Sequence, residues 1–151
     1  MAVYKIFPTQ DTTIYSFYPD KNTGLDEILD ISTSLNLDLD PSPQTNRTLI
    51  QFSSNEIQDI IDNKISGSQW QSNLRCFIAD ISGLIQDTTI EIYPISQSWV
   101  MGTGRFAYSP EVTNGASWNY KDYNNGTLWI DGNFNPGTTG SYTSSVTTGG
   151  G

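Results

Sequence analysis

The sequence predicts an all-β protein, an antiparallel β-sandwich with one short α-helix. Segments rich in Val, Ile, Thr, Tyr and Phe alternate with clusters of Gly, Pro, Asn, Asp and Ser, which is typical of strands separated by turns. Only one stretch has apolar residues at helical spacing. A chain of 151 residues is long enough to bury an ordinary core in one domain. We therefore assign residues 1–136 to a β-sandwich domain and residues 137–151 to a tail or arm.

The N-terminal part contains three predicted strands. The first covers residues 3–7 and ends at Pro8, because proline cannot donate a ladder hydrogen bond. The second covers residues 11–17, where alternation places Ile14 on one face and its two neighbours on the other. The third covers residues 27–32, after a turn formed by the sequence Asn-Thr-Gly.

Three further strands follow a proline-containing loop. Residues 38–45 hold two prolines, which predicts a loop. We expect strands at residues 47–52, within residues 70–81 and at residues 88–93, since each is rich in β-branched and aromatic side chains.

The single helix follows the strand at residues 47–52. Ser53 or Ser54 can accept hydrogen bonds from the first turn, which contains Glu56. The apolar positions recur at helical spacing, at Ile57, Ile60, Ile61 and Ile65. We expect an amphipathic helix that covers one end of the core.

The last 15 residues have a different composition from the rest. Residues 137–151 contain five Gly, five Thr and three Ser, so they offer almost nothing to a core. We interpret them as a tail that a partner would order.

Composition excludes several classes of site. The chain has no His and a single cysteine, Cys76, so it has no intramolecular disulfide, no Cys/His zinc site and no Ser-His-Asp or Cys-His nucleophile. Carboxylate pairs are numerous among 16 acidic residues, but nothing marks one of them for glycoside hydrolysis. We therefore predict a protein that is not an enzyme.

Charge and hydropathy bear on partners and location. The net charge of −9 argues against nucleic acid, because phosphate binding needs a surface of Lys and Arg. No segment approaches the ~18 apolar residues of a membrane-spanning helix, and the N-terminus lacks the pattern of a signal peptide. We expect a protein made in a cytoplasm, without nucleic-acid or membrane partners.

The acidic residues raise the question of a bound cation. Asp26, Asp30, Asp38 and Asp40 lie close together in sequence, and Ca²⁺ prefers six to eight oxygen ligands. Their spacing fits neither an EF-hand nor a nonapeptide repeat, and a solvated acidic face or edge-strand charges that block aggregation are the alternative. No other cofactor is predicted.

The aromatic residues admit two interpretations. Exposed Trp and Tyr faces stack on sugar rings, whereas buried ones fill a core. We assign Trp99 and Trp118 to the core. The candidate surface aromatics for binding a glycan are Trp70, Tyr108, Tyr123 and Trp129.

Several separated segments resemble known modules. Residues 46–52 (NRTLIQF), 93–99 (YPISQSW) and 115–120 (GASWNY) resemble strands of the DNRLRE-type β-sandwich modules. Residues 5–28 (KIFPTQDTTIYSFYPDKNTGLDEI) and the segments MGTGRF and PEVTNGASWNY are similar to virion structural proteins of T4-like marine cyanophages. The likeness extends over roughly residues 1–135.

The resemblance implies a jelly-roll-like sandwich with a role in binding or assembly. Members of the wider family occur on surface and carbohydrate-active proteins, and some bind polysaccharide. Met101 stands where an acidic residue often follows the tryptophan, and the Gly/Thr/Ser tail stands where such modules continue with further strands. This version is therefore either short or completed by strands from a neighbouring subunit.

From these observations we expect a non-enzymatic phage virion structural protein. It would form a homo-oligomer and would bind other virion proteins. Its place would be that of a tail, baseplate or fibre component or of a capsid decoration. Its acidic N-terminal half would orient it against a basic patch of a partner. The alternative is a carbohydrate-binding module that recognises a host surface glycan.

Overall fold

The computed structural model describes residues 3–36, 40–67, 69–81 and 90–130, and it is rich in strands. Over these residues the elements are β1 (Pro8–Tyr15), β2 (Thr33–Asn36), β3 (Asp40–Phe52), α1 (Ser54–Asn63), β4 (Tyr120–Asp122) and β5 (Thr127–Leu128). β1, β3 and β2 form an antiparallel sheet with β3 in the centre, and β4 and β5 form a hairpin. The prediction of a sheet-rich protein with one short helix is thus confirmed at this level.

The pairing of β1 with β3 sets one face of the sheet against the core. Ile14 lies opposite Arg47, and Thr12 lies opposite Leu49. Because directly opposed residues share a face, these four side chains point the same way. Ile14 and Leu49 are fully buried there.

Much of the core comes from residues outside the strands. The apolar cluster consists of Ile14, Leu49, Trp99, Ala116, Trp118 and Trp129. Its last four members come from residues 99–129 and lie in loops. The core assignment of Trp99 and Trp118 is therefore confirmed, and Trp129 joins them.

The helix forms where the sequence predicts it, but α1 ends at Asn63, so Ile65 lies beyond it. Ser53 is the N-cap, and its side chain accepts a hydrogen bond from the Glu56 N–H at 3.2 Å. Ile60 is the buried residue of α1, while Ile57 remains exposed. The apolar stripe of the helix therefore contacts the rest of the chain through a narrower strip than its sequence suggests.

The N-terminal strand boundaries differ from the predicted ones. Residues 3–7 form no strand, and Pro8 begins β1 instead of ending a strand, a position where its missing N–H costs no ladder bond. Residues 27–32 form no strand either, and β2 begins at Thr33.

The loop predicted at residues 38–45 is also wrong from Asp40 onward. β3 begins at Asp40 and continues through both prolines to Phe52. The first half of β3 pairs with β2 and its second half with β1. One edge of the first half thus has no strand beside it in the described part of the chain, and prolines are tolerated at such an edge.

The strand prediction fails for the two segments after the helix. Residues 70–81 contain no strand. Residues 90–93, the described part of the second segment, contain none either. Residues 88 and 89, like the predicted tail at residues 137–151, lie outside the described part of the chain. A strand needs hydrogen-bonded neighbours, and the described residues provide none for these segments.

Candidate functional site

A cleft opens on the surface where β1 ends. Its volume is about 200 Å³. Aromatic, hydroxyl and amide side chains line it, namely Tyr15, Ser16, Phe17, Tyr18, Ser32, Thr45 and Asn46. Residues 16–18, which follow β1, line one side of the cleft. Asn46, which pairs with Tyr15 at the end of β1, lines another.

Four rings form an aromatic cluster beside this cleft: Tyr15, Phe17, Tyr18 and Phe106. The centroid of the Phe106 ring lies 5.0 Å from that of Tyr15 and 5.5 Å from that of Tyr18. Phe17 packs edge-on against Tyr18 at 4.9 Å. These tilted and edge-to-face arrangements are favourable for aromatic rings, so each ring helps to fix the next.

Lys21 supports the aromatic cluster from within. Its ammonium nitrogen lies 4.5 Å from the ring centres of both Tyr18 and Phe106, within the range of cation–π attraction. The same nitrogen donates to the Phe106 carbonyl at 3.2 Å and lies 3.9 Å from a carboxylate oxygen of Glu111. A nearly buried positive charge therefore holds the two rings in place.

The polar side of the cleft is made of hydroxyl and amide groups. The Ser16 hydroxyl oxygen accepts from the Thr45 N–H at 2.9 Å, and the Ser32 hydroxyl oxygen accepts from the Asn46 side-chain amide at 2.9 Å. The Asn46 amide oxygen accepts in turn from the Ser32 N–H. Each serine uses its oxygen as an acceptor in these bonds, so its hydroxyl proton remains available to a ligand.

Two carboxylates lie near Tyr15, one of the residues that line the cleft. Burial and, after it, the nearby charges of Asp30 and Asp26 together raise the pKa of Tyr15 to about 12. The Tyr15 phenol therefore stays neutral at physiological pH. The Asp26 carboxylate also accepts from the Phe106 N–H at 3.0 and 3.2 Å, which ties this acidic loop to the aromatic cluster.

A buried asparagine fixes the loops behind the cluster. The Asn22 amide nitrogen donates to the carbonyls of Met101 and Ala116 at 2.7 and 2.8 Å. Its amide oxygen accepts from the N–H groups of Gly104 and Gly24 at 2.8 and 3.2 Å. Because Phe106 follows Gly104 by two residues, Asn22 indirectly positions one ring of the aromatic cluster.

The four predicted surface aromatics do not form one surface. Trp129 is fully buried, so its prediction as a surface aromatic is wrong, and its indole N–H donates to the Ser117 carbonyl at 2.8 Å. Tyr123 is half-buried and packs against Tyr120 at 4.6 Å. Trp70 and Tyr108 are exposed, by 52% and 44%, and a ligand for either stays a prediction.

The predicted cation ligands are only partly described. Asp26 is engaged with Phe106, and Asp30 lies near Tyr15. Asp38 lies outside the described residues, and for Asp40 the structure gives the backbone position at the start of β3. Within the described ranges no three His, Cys, Asp or Glu side chains are grouped so as to hold a metal. Ca²⁺ binding stays a prediction.

Sequence reasoning missed the aromatic cluster. Phe17 was assigned to a strand, and neither Tyr18 nor Phe106 was singled out as a binding residue. The available signal was the aromatic run just before Pro19-Asp20, because rings at a turn are less easily buried than rings within a strand. Nothing in the sequence indicated that Phe106, 88 positions after Tyr18, would join them.

Comparisons with known proteins give no relative. No family model, no curated protein and no solved structure matches the chain. Among the described residues, no helix has both the length and the apolar character needed to cross a membrane.

Proposed function

We propose that the protein is a non-enzymatic structural protein of a phage virion, which assembles on the particle with further copies of itself. The observation that carries the proposal is an exposed apolar segment with the sequence pattern of a strand. We define the outer segment as residues 69–81 together with residues 90–93. The particle setting rests on the resemblance of residues 5–28 and of the segments MGTGRF and PEVTNGASWNY to phage virion proteins, which stays a prediction.

The outer segment leaves large side chains in solvent. Every described residue of it is exposed, and Phe77 and Ile78 are exposed by 81% and 74%. Its other large apolar side chains are Trp70, Leu74, Ile81, Ile90, Ile92 and Tyr93. Burial of such a side chain stabilises a protein by about 1.5–3 kcal/mol, so a partner that covers several of them would gain substantial free energy. Exposure of this many large apolar side chains along one segment is typical of an interaction site.

A second copy of the chain is the partner that fits this segment. Strand addition would give the outer segment the backbone hydrogen bonds that it lacks among the described residues. Residues 69–81 contain one basic and one acidic residue, Arg75 and Asp80, so this part of the outer segment carries no net charge, and Glu91 is the one further acid of the segment. Such pairing would add strands to each subunit and complete a jelly-roll-like β-sandwich.

The charges favour an antiparallel arrangement. If two copies of residues 69–81 pair antiparallel about the point between Phe77 and Ile78, Arg75 of each copy lies opposite Asp80 of the partner subunit. Opposite charges across a strand pair are stabilising, and like charges are destabilising. In the single chain Arg75 lies over the Phe77 ring, 5.1 Å from its centre, and both residues are exposed, so pairing would exchange this contact for one with a facing carboxylate.

The first test is the mass of the purified protein in solution, measured by light scattering with and without a chelator. We expect a stable multiple of 16.7 kDa that the chelator leaves unchanged. A folded monomer of 16.7 kDa at all concentrations would overturn the proposal. Antibodies raised against the protein should label phage particles, and unlabelled particles would contradict the virion setting.

Charge substitutions test the proposed pairing. Arg75→Asp and Asp80→Arg each place like charges opposite one another, so each should shift the mass toward the monomer. The double variant exchanges the charges and should restore the oligomer. Ser54→Asp adds a negative charge in the exposed first turn of α1, where it is well tolerated, and serves as the control. A double variant that stays as dissociated as the single ones would contradict the antiparallel pairing.

A further inference from the structure

We infer that the cleft beside the aromatic cluster binds a neutral sugar ring, one unit of a longer glycan. This inference goes beyond the proposed assembly and does not depend on it. It also differs from the glycan surface predicted at Trp70, Tyr108, Tyr123 and Trp129, because none of these residues lines the cleft.

The rings present the apolar surface that a sugar requires. Phe17 is 46% exposed, and Tyr18 and Phe106 are also exposed, although the cluster holds each of them in a fixed orientation. A sugar ring has one face of C–H groups, which stacks on an aromatic ring without losing its hydroxyl hydrogen bonds. Rings already fixed by their neighbours lose little conformational entropy when a ligand binds.

The polar groups of the cleft can form hydrogen bonds with the hydroxyls of a sugar. Ser16 and Ser32 each keep a hydroxyl proton to donate, as their oxygens accept from Thr45 and Asn46. Tyr15 also lines the cleft, but its phenol is hydrogen-bonded to the Asp30 side chain, so the two serines are the donors to a sugar. A few hydrogen-bonding groups beside an apolar wall are the usual composition of a ligand site.

The described lining of the cleft holds no charged side chain. The Lys21 ammonium lies behind it, against Tyr18 and Phe106 and 3.9 Å from a carboxylate oxygen of Glu111. A sialylated, sulfated or amino sugar therefore finds no partner for its charge among these lining residues, whereas a neutral sugar needs none.

The size of the cleft indicates one ring and not a whole oligosaccharide. Its volume of about 200 Å³ is below the range of roughly 300–1,000 Å³ that encloses a drug-sized ligand. A single ring binds weakly. In a multi-copy particle, several clefts would engage one polysaccharide, and the avidity can exceed the single-site affinity by about 10²–10⁴.

The experiment is a glycan array probed with the labelled full-length chain, with neutral, acidic and amino-sugar glycans in separate groups. We expect binding to neutral glycans. Phe17→Ala should weaken it about tenfold, since it removes the most exposed wall of the cleft. Phe7→Ala removes an equally large exposed ring that lies before the other end of β1, and it should leave binding unchanged.

A second variant separates a loss of glycan binding from a loss of folding. Ser16→Thr keeps the hydroxyl that accepts from Thr45 and adds one methyl group to the cleft, so it should also weaken binding while the thermal unfolding curve is retained. Absence of binding to any glycan, binding restricted to acidic glycans, or equal binding by Phe17→Ala and the parent protein would overturn the inference. An assembled protein that binds no glycan overturns this inference alone, and a monomer that binds glycan overturns only the assembly.

Discussion

The Asn22 side chain joins three stretches of loop through one amide group. Its four hydrogen bonds are to backbone groups of Gly24, Met101, Gly104 and Ala116, of which Met101 and Gly104 belong to one stretch. Each of these backbone groups is paired in the interior, where an unpaired donor or acceptor costs about 1–3 kcal/mol. Asparagine suits the position because it carries two donors and a two-fold acceptor in one plane. Aspartate would set a carboxylate against the two carbonyls.

Asn22→Ala should therefore lower the free energy of unfolding by about 3–5 kcal/mol, since it leaves several buried backbone groups without partners. Urea unfolding followed by tryptophan fluorescence measures the change. Asn63→Ala is the matched control, because the Asn63 amide donates to Asp59 on the exposed surface of α1 and should contribute under about 0.5 kcal/mol. Equal losses in the two variants would contradict the structural role of Asn22.

Two loops pack backbone to backbone at Gly102 and Gly115. Glycine is required at Gly115 both because a Cβ would clash and because φ is positive. Gly115 has φ +78°, and a Cβ built on it would lie 2.5 Å from the Gly102 Cα. Gly126, in the β4–β5 hairpin, has φ +62° but open space around its Cβ position. The two positions share the left-handed conformation and differ in crowding.

Gly115→Ala should cost about 2–4 kcal/mol of unfolding free energy, as the strain of a positive φ adds to a backbone clash. Gly126→Ala should cost about 1 kcal/mol, because only the conformational strain applies there. Thermal or urea unfolding of both variants checks the difference. If the two losses agree, the contact between the loops at residues 102 and 115 is not as close as the structure has it.

The whole molecule divides into a packed part and an exposed part. Ile14, Leu49 and three tryptophans form the core, whereas the outer segment exposes every described residue. A chain that assembles through this segment would bury it only in the oligomer. Its accessibility should then depend on protein concentration, unlike that of a site elsewhere on the surface.

Limited trypsin digestion distinguishes these states. Cleavage after Arg75 should slow as the protein concentration rises, because assembly shields the outer segment. Cleavage after Lys64, an exposed residue at the end of α1, should proceed at the same rate per molecule. Mass spectrometry of the fragments gives both rates. A rate at Arg75 that ignores concentration would count against assembly through residues 69–81.

Several features of the fold depend on local patterns and can be predicted from them. The strand at residues 47–52, the helix with its Ser53 cap and the core positions of Trp99 and Trp118 follow from alternation, helical spacing and side-chain size. Local signals also predict the turn at residues 22–24, but no local pattern indicates that the Asn22 side chain contacts three loops.

Contacts between residues far apart in the chain cannot be predicted in this way, and they determine which strand candidates find partners. Phe106 joins Tyr15 and Tyr18, and Trp129 enters the core, because loops far apart in sequence are tied together through Asn22 and close glycine contacts. Residues 3–7 and 70–81 have strand-like sequences and form no strand, whereas the proline-containing segment from Asp40 does. Strand formation depends on a neighbour to supply hydrogen bonds, and local sequence does not specify that neighbour.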